Sequence, residues 1–324
     1  MSRPKTAQEF IHWLEVGGGA RWIRLAALLA GTLALSLLVA WKQFHGATSE
    51  LTLAQADTGR QLARGAGFTT NVNYPQTAAF LEKRGVKFDA AKSYPELHQA
   101  PLYSMAIAGA LRLLPDAKRE ALFASPPAPP DGFKADYFLL GINLVLLWLA
   151  AWLTYDLGCR LFDAQAGLLA ALALLVSVSV WQQTIAVNGT PLLMVLALTA
   201  FGVWHRVEVV ADATGSRRFV WLGALGAACG LMFLAEYSAG ALVLVALGYV
   251  VSRFEGGVRW TALAVVVAGF AFVSGPWIAR NVALTGHPVA LAAQNVALKF
   301  GDPTADVNVV GNIATVHGVH CAIA

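Results

Sequence analysis

The sequence predicts an all-α polytopic membrane protein with about seven transmembrane helices and a large first extracytoplasmic loop carrying interfacial helices. Three observations carry that expectation: apolar runs of helix length recur along the chain, charge is scarce, and basic residues gather on alternate loops. Of 324 residues, 57% are hydrophobic and 13% charged, with a mean hydropathy of +0.59. An average soluble domain carries about 25% charged residues. Length alone would allow two soluble domains, but a bilayer organises these apolar runs better than a water-surrounded core.

The first expected span runs from Leu25 to Trp41, preceded by Arg21 and Arg24. A positive flank before an apolar stretch is also a property of signal peptides. The long region ahead of it, and the lack of a small-x-small cleavage pattern directly after Trp41, favour an anchored helix. Further spans are expected at Tyr137–Tyr155, Ala164–Trp181, Pro191–Trp204, Phe219–Leu234, Tyr237–Val251 and Trp260–Trp277. Several are shorter than the ~20 residues that cross a ~30 Å hydrocarbon core. Trp and Tyr at their ends extend them into the headgroup region. Pro191 stands at a helix start, where its missing N–H costs little. Pro101–Leu114 is also apolar, but a helix of roughly 14 residues rises only ~21 Å and suits an interfacial or re-entrant position.

Orientation follows from the short loops. Arg160, His205, Arg206, Arg217, Arg218, Arg253 and Arg259 fall on one side, shared with Arg3, Lys5, Arg21 and Arg24. The opposite connections, around Gln182–Thr190 and Ala235–Glu236, contain no Lys or Arg. The positive-inside rule then places the N-terminus in the cytoplasm. A crossing by Pro101–Leu114 would turn every later basic loop outward, which argues against it. The expected organisation is a cytoplasmic stretch 1–24, a first helix 25–41, an extracytoplasmic loop 42–134, a six-helix region 135–277, and an extracytoplasmic segment 278–324. The net charge of +4 and pI near 9.0 are mainly topology signals. No basic cluster with interleaved aromatics supports a nucleic-acid partner. Cys159, Cys229 and Cys321 are too dispersed for a disulfide framework or a zinc site. Ser125–Asp131 (SPPAPPD) reads as a stiff loop.

Chemistry is confined to the water-facing segments. Leu51–Phe68 (LTLAQADTGRQLARGAGF) predicts a helix to about Arg64, stopped by Gly65. Glu50 and Asp57 share a face if that helix already includes Glu50. Each is a candidate catalytic carboxylate, the alternative being solvated helix charge with Asp57 offset by Arg60 or Arg64. Tyr94–Tyr103 (YPELHQAPLY) holds Glu96, His98 and Tyr103. Glu236 and Tyr237 occupy a very short turn between two spans, where a carboxylate is costly unless paired or wet. In Pro276–Val289 (PWIARNVALTGHPV), Arg280 has the chemistry to hold a phosphate in bidentate fashion, or to anchor at the headgroups.

These stretches resemble the conserved module of the GT-C class of membrane glycosyltransferases, which includes protein O-mannosyltransferases and aminoarabinose transferases. RQLARGAGF (Arg60–Phe68) resembles the family's A-R-x-L-x-x-G-x-G-F stretch, and APLYSMAIAGALRLL (Ala100–Leu114) its P-P-L-Y element with the interfacial helix after it. CRLFDAQAGLLAALAL (Cys159–Leu174) is similar to its R-L-F-x-x-x-A-G-L-L-A-A loop and span. PWIARNVALTGHPV resembles its most specific signature, P-W-x-x-R-N-x-x-x-x-G-x-P-V.

The resemblance implies sugar transfer from a polyprenyl-phosphate-type carrier to an acceptor on the outer face of a membrane, expected to be a bacterial inner membrane. It implies Asp57 or Glu50 as general base. It implies Arg280 as the contact to the lipid phosphate; Asn281, His98, Tyr103, Arg60, Glu236 and Tyr237 are further candidate substrate-binding residues. The partners implied are a lipid-linked sugar donor and membrane lipids, with a partner membrane subunit as one alternative. No cofactor is assigned, and dependence on a divalent metal stays open. The chain departs from the pattern in three places. The family's first-loop acid would fall near Leu51, Val187–Pro191 (VNGTP) lacks the second acid, and His98 and Gln99 replace a basic residue. After Val289 the sequence continues to Ala324 without another span, which leaves a truncated product, a minimal enzyme or a module completed by a partner as readings. A non-catalytic lipid-binding or scaffold subunit is the alternative to an enzyme.

Overall fold

The computed structural model describes residue 13 and residues 18–47, 49–89, 91–124, 133–209 and 217–293. The SPPAPPD loop, Cys321, most of the expected cytoplasmic stretch 1–24 and the tail from residue 294 lie outside the described residues. The fold divides into two compact units, one built from segments 1–48 and 120–202 and the other from 49–119 and 203–324.

The first unit contains α1 (Gly18–Lys42), α6 (Lys134–Leu161), α7 (Ala164–Val176), α8 (Val178–Ile185) and the first part of α9 (Thr190–Val209). Asp163 separates α6 from α7. Its backbone is extended, and its carboxylate accepts the N–H groups of Gln165 and Ala166 at 2.8 Å each, satisfying donors that a helix start leaves unpaired. Close approach at this corner needs glycine. A Cβ on Gly158 would lie 2.6 Å from the Gly167 Cα. Val39, Leu147, Ala151, Tyr155, Ala171, Leu175 and Trp181 form the unit's core. Ser36 accepts from the Trp148 indole at 3.0 Å.

The third expected span, Ala164–Trp181, is not one straight helix. It breaks at Ser177 into α7 and α8, which bend by 56°. The buried Asn143 amide of α6 donates to the carbonyls of Thr184 and Asn188, at 3.3 and 3.0 Å, where α8 ends. A side chain thus satisfies carbonyls left open at the end of a short helix.

The second unit contains α2 (Glu50–Ala63), β1 (Thr69–Thr70), α3 (Pro75–Lys83), β2 (Tyr94–Pro95), α4 (Leu102–Arg112), the rest of α9, α10 (Arg217–Ala235), a 3₁₀ turn (Tyr237–Ala241), α11 (Leu242–Arg253) and α12 (Gly256–Thr285). The short helix α5 (Asp116–Leu122) lies where the division falls. As expected, α2 stops at Gly65, whose φ is 83°. Ile107 and Ser104 of α4 pack against α2 at Gly59, where a Cβ would come within 2.7 Å of the Ile107 side chain. At 11 residues, α4 is far too short to cross a bilayer. Strands β1 and β2 pair antiparallel, Thr69 opposite Pro95 and Thr70 opposite Tyr94.

Among the described residues, four helices, α6, α9, α10 and α12, are long and apolar enough to cross a membrane, or five if α7 and α8 make one span. They coincide with four of the expected spans and, as the bent pair, a fifth. At the first position the apolar stretch Leu29–Lys42 lies within α1, and at the sixth Tyr237–Arg253 is the 3₁₀ turn followed by α11.

Candidate active site

The last expected span ended at Trp277, yet α12 runs on past Pro276 to Thr285, and Gly286 terminates it with a φ of 82°. A left-handed residue at this position costs glycine little. Arg280 and Asn281 therefore sit on a rigid helix end rather than in a loop. Trp277 and Arg280 are three residues apart, so they share a face. The Arg280 guanidinium lies 4.5 Å from the Trp277 ring centre and 5.5 Å from that of Phe68. Those two rings meet edge-on at 4.7 Å.

Backbone carbonyls complete the cradle. Arg280 Nη1 donates to the Glu96 carbonyl at 3.4 Å and to Asn281 Oδ1 at 3.2 Å. Its Nη2 donates to the carbonyls of Phe68 and Glu96 at 3.4 and 3.3 Å. These are long bonds, weaker than an N–H···O contact near 2.9 Å. No carboxylate of the described residues comes within ion-pair distance of the guanidinium. The site is a cation held by dipoles and ring faces, its charge not neutralised by direct pairing. That arrangement favours an anionic ligand.

Tyr237 ties this helix end to the loop after β2. Its hydroxyl donates to the Gln99 carbonyl at 3.2 Å and accepts from the Trp277 indole at 3.0 Å. Asn281, fully buried, donates to the Pro288 carbonyl at 3.0 Å and to the Tyr237 hydroxyl at 3.4 Å. Arg280 and Tyr237, distant in the sequence, thus both reach the segment Glu96–Gln99, and Asn281 is bonded to each of them.

The remaining expected residues fall elsewhere. Tyr103 is 0% exposed inside α4, with no surface to offer a substrate. Glu236 is exposed and caps the 3₁₀ turn. Arg60 is half-buried in the last turn of α2. Glu50 is exposed as the first residue of α2. Asp57 is tied to the strand that follows. Its Oδ2 accepts from the Asn71 N–H at 2.5 Å and the Thr70 hydroxyl at 3.0 Å, and its Oδ1 from the Asn71 side chain at 3.2 Å. Thr70 and Asn71 thus supply hydrogen-bond donors to the Asp57 carboxylate.

His98 is turned inward, 2.9 Å from the Thr77 hydroxyl, with its ring centre 4.4 Å from that of Tyr74 and tilted to it by 42°. Burial lowers its pKa to about 4. A histidine whose folded value lies below its unfolded one stabilises the fold fully above about pH 6.5, and that contribution disappears as pH falls through about 4. The difference amounts to about 3 kcal/mol. Thermal unfolding of the detergent-solubilised protein should therefore lose stability across this window. A His98→Asn variant should lose most of that slope, and an unchanged slope would place its origin elsewhere.

Glu96, within the Tyr94–Tyr103 stretch, is not among the expected site residues. Its side chain is 1% exposed. Oε1 accepts the N–H groups of His98 and Gln99 at 2.7 and 3.1 Å, while Oε2 is buried with no hydrogen-bond partner. Burial pushes this carboxyl up, against the lowering effects of the loop N–H groups and the Arg280 charge. The Phe68 wall was missed as well. The Trp277 wall had one local signal, its spacing of three from Arg280. Among the described residues, no group of three His, Cys, Asp or Glu side chains is placed to hold a metal ion.

A largely helical architecture with four or five helices, among the described residues, long and apolar enough to cross a membrane points to an integral membrane protein. Residues 138–278 match the family described as dolichyl-phosphate-mannose-protein mannosyltransferase. The match covers α6 through the Trp277 turn of α12 and stops two residues before Arg280, so the cradle's partners in segment 49–119 lie beyond it. No curated protein and no solved structure matches the chain.

Proposed function

We propose that this protein is a glycosyltransferase that moves a sugar from a polyprenyl-phosphate-type lipid carrier to an acceptor at the outer face of the membrane. In this reading the chain crosses a bacterial inner membrane seven times, with segment 42–134 and the end of α12 on the extracytoplasmic side. The observation that carries the reading is Arg280, held over two aromatic rings by carbonyls and with no ion pair among the described residues, at the end of a membrane-length helix.

The proposed chemistry is a single displacement. An acceptor oxygen or nitrogen attacks the anomeric carbon, the bond from that carbon to the phosphate oxygen breaks, and the lipid phosphate departs with the electron pair. Arg280 stabilises the charge gathering on the phosphate. A carboxylate, Asp57 or Glu50, takes the acceptor's proton, a role that contributes typically about 10²–10⁴-fold. The partners are then the lipid-linked sugar and the surrounding lipids.

One observation favours a second reading, a non-catalytic lipid-binding or scaffold subunit working with a partner membrane protein. Asp57 already accepts three hydrogen bonds from Thr70 and Asn71, and Glu50 is exposed. The deciding experiment reconstitutes the full chain in liposomes with a polyprenyl-phosphate-linked hexose and follows release of polyprenyl phosphate. Asp57→Asn or Glu50→Gln should reduce turnover at least about 10²-fold, with lipid binding retained. If both variants turn over normally, neither carboxylate is the base. If the wild-type chain binds lipid phosphate without turnover, the scaffold reading stands.

A further inference from the structure

The Glu96 carboxyl is the most unusual polar group in the described residues, and the displacement mechanism makes no use of it. It is 1% exposed, and only one of its oxygens has donors. Leaving a buried ionised oxygen without a donor costs far more than leaving a protonated one. The same residue's backbone carbonyl accepts from both terminal nitrogens of Arg280. The charges of the two side chains also act on each other directly. The other titratable groups around Glu96 are Tyr237 on the 3₁₀ turn, Tyr74 before α3 and His98 in its own loop. His98 is uncharged well above pH 4, and a guanidinium keeps its charge throughout. Glu96 is therefore the carboxyl that decides whether the cradle carries a net positive charge.

We infer that Glu96 is a positioning residue acting through Arg280: it is protonated while the guanidinium holds an anionic lipid headgroup, and on losing its proton it becomes Arg280's counter-charge and competes with that headgroup. The inference rests on the reading of Arg280 as the phosphate-binding group. A bound anion raises the cost of ionising a neighbouring carboxyl, so headgroup binding and proton uptake are linked. Affinity is highest where Glu96 is protonated in the empty protein. It falls as pH rises between the values for the empty and occupied states. Each unit between those two values is worth about tenfold in affinity.

The test uses the full chain in lipid nanodiscs with two probes. Farnesyl phosphate represents the headgroup. Farnesyl sulfate is a stand-in whose own charge does not change over the range studied. From about pH 5 to 9, wild-type affinity for farnesyl sulfate should fall roughly tenfold. Glu96→Gln keeps an acceptor for His98 and Gln99 but cannot ionise, so its profile should be flat, with tighter binding than wild type at the alkaline end. Farnesyl phosphate should give the same divergence between the two proteins, whatever the phosphate's own ionisation does. Should Glu96→Gln fail to fold, calorimetry of farnesyl sulfate binding to wild type in buffers of different ionisation enthalpy reads the proton uptake directly.

Parallel wild-type and Glu96→Gln profiles, or no proton uptake, overturn the inference while leaving the role of Arg280 in place. An Arg280→Ala protein that binds both probes like wild type overturns the phosphate-site reading itself, and this inference with it. Inorganic phosphate displacing farnesyl phosphate at equal concentration would show that the site does not select a lipid and would overturn the headgroup assignment.

Discussion

Arg280→Ala should abolish measurable binding of a polyprenyl phosphate and lower sugar transfer by about 10²–10³-fold, the effect of removing one donor from a site where charge develops. The fold should survive, because the Arg280 hydrogen bonds, at 3.2 to 3.4 Å, are long and end mostly on carbonyls that water can satisfy. Arg280→Lys should rescue little. An ammonium lacks the planar fork that reaches the Phe68 and Glu96 carbonyls together, and it stacks less well between Trp277 and Phe68. Equilibrium binding of farnesyl phosphate to the nanodisc-embedded variants measures the first effect, and release of polyprenyl phosphate the second. A melting temperature within a few degrees of wild type separates loss of the site from loss of the fold. Undiminished affinity in Arg280→Ala would remove this residue from the site and leave the aromatic cradle without a ligand.

Local pattern carried the long helices. Apolar length alone located α6, α9, α10 and α12, and Gly65 marked the end of α2 because glycine accepts the left-handed turn. The bend at Ser177 was not legible. Leu-Leu-Val-Ser-Val-Ser-Val-Trp reads as continuous apolar chain, while the carbonyls exposed at the end of α8 are met by Asn143, more than forty residues earlier in the sequence.

The site shows the same limit. Trp277, Arg280 and Asn281 were legible as a motif, but their partners Phe68, Glu96 and Tyr237 come from distant segments. Asp57 looked like a free helix carboxylate because Thr70 and Asn71 return to it only through the turn after Gly65. Glu96 looked like one more loop acid, since acids are almost never fully buried unless paired. Its burial is created by the tertiary fold.

The positioning of Arg280 depends on α12 lying very close to α10, and glycine permits that contact. A Cβ on Gly226 would stand 2.1 Å from the Val266 carbonyl oxygen, and one on Gly269 would stand 2.3 Å from the Gly223 carbonyl oxygen. Both clashes are with helix backbone, which cannot step aside as a flexible side chain can. Small residues that bring helix backbones together are a main source of association inside a bilayer, where burial from water contributes nothing between helices. Gly226→Leu should therefore destabilise the protein by about 3 kcal/mol or more, at the upper end of overpacking costs. Gly223→Ala should be mild, because the nearest atom to its Cβ is a Val265 methyl at 3.5 Å. Thermal unfolding of the detergent-purified variants measures the difference. Separating α12 from α10 would also displace Trp277 from Phe233, its neighbour in the small cluster beneath the cradle. Any Gly226→Leu protein that remains folded should then bind lipid phosphate weakly with its Arg280 intact. A stable Gly226→Leu variant with normal binding would show that the α10–α12 contact does not place the guanidinium.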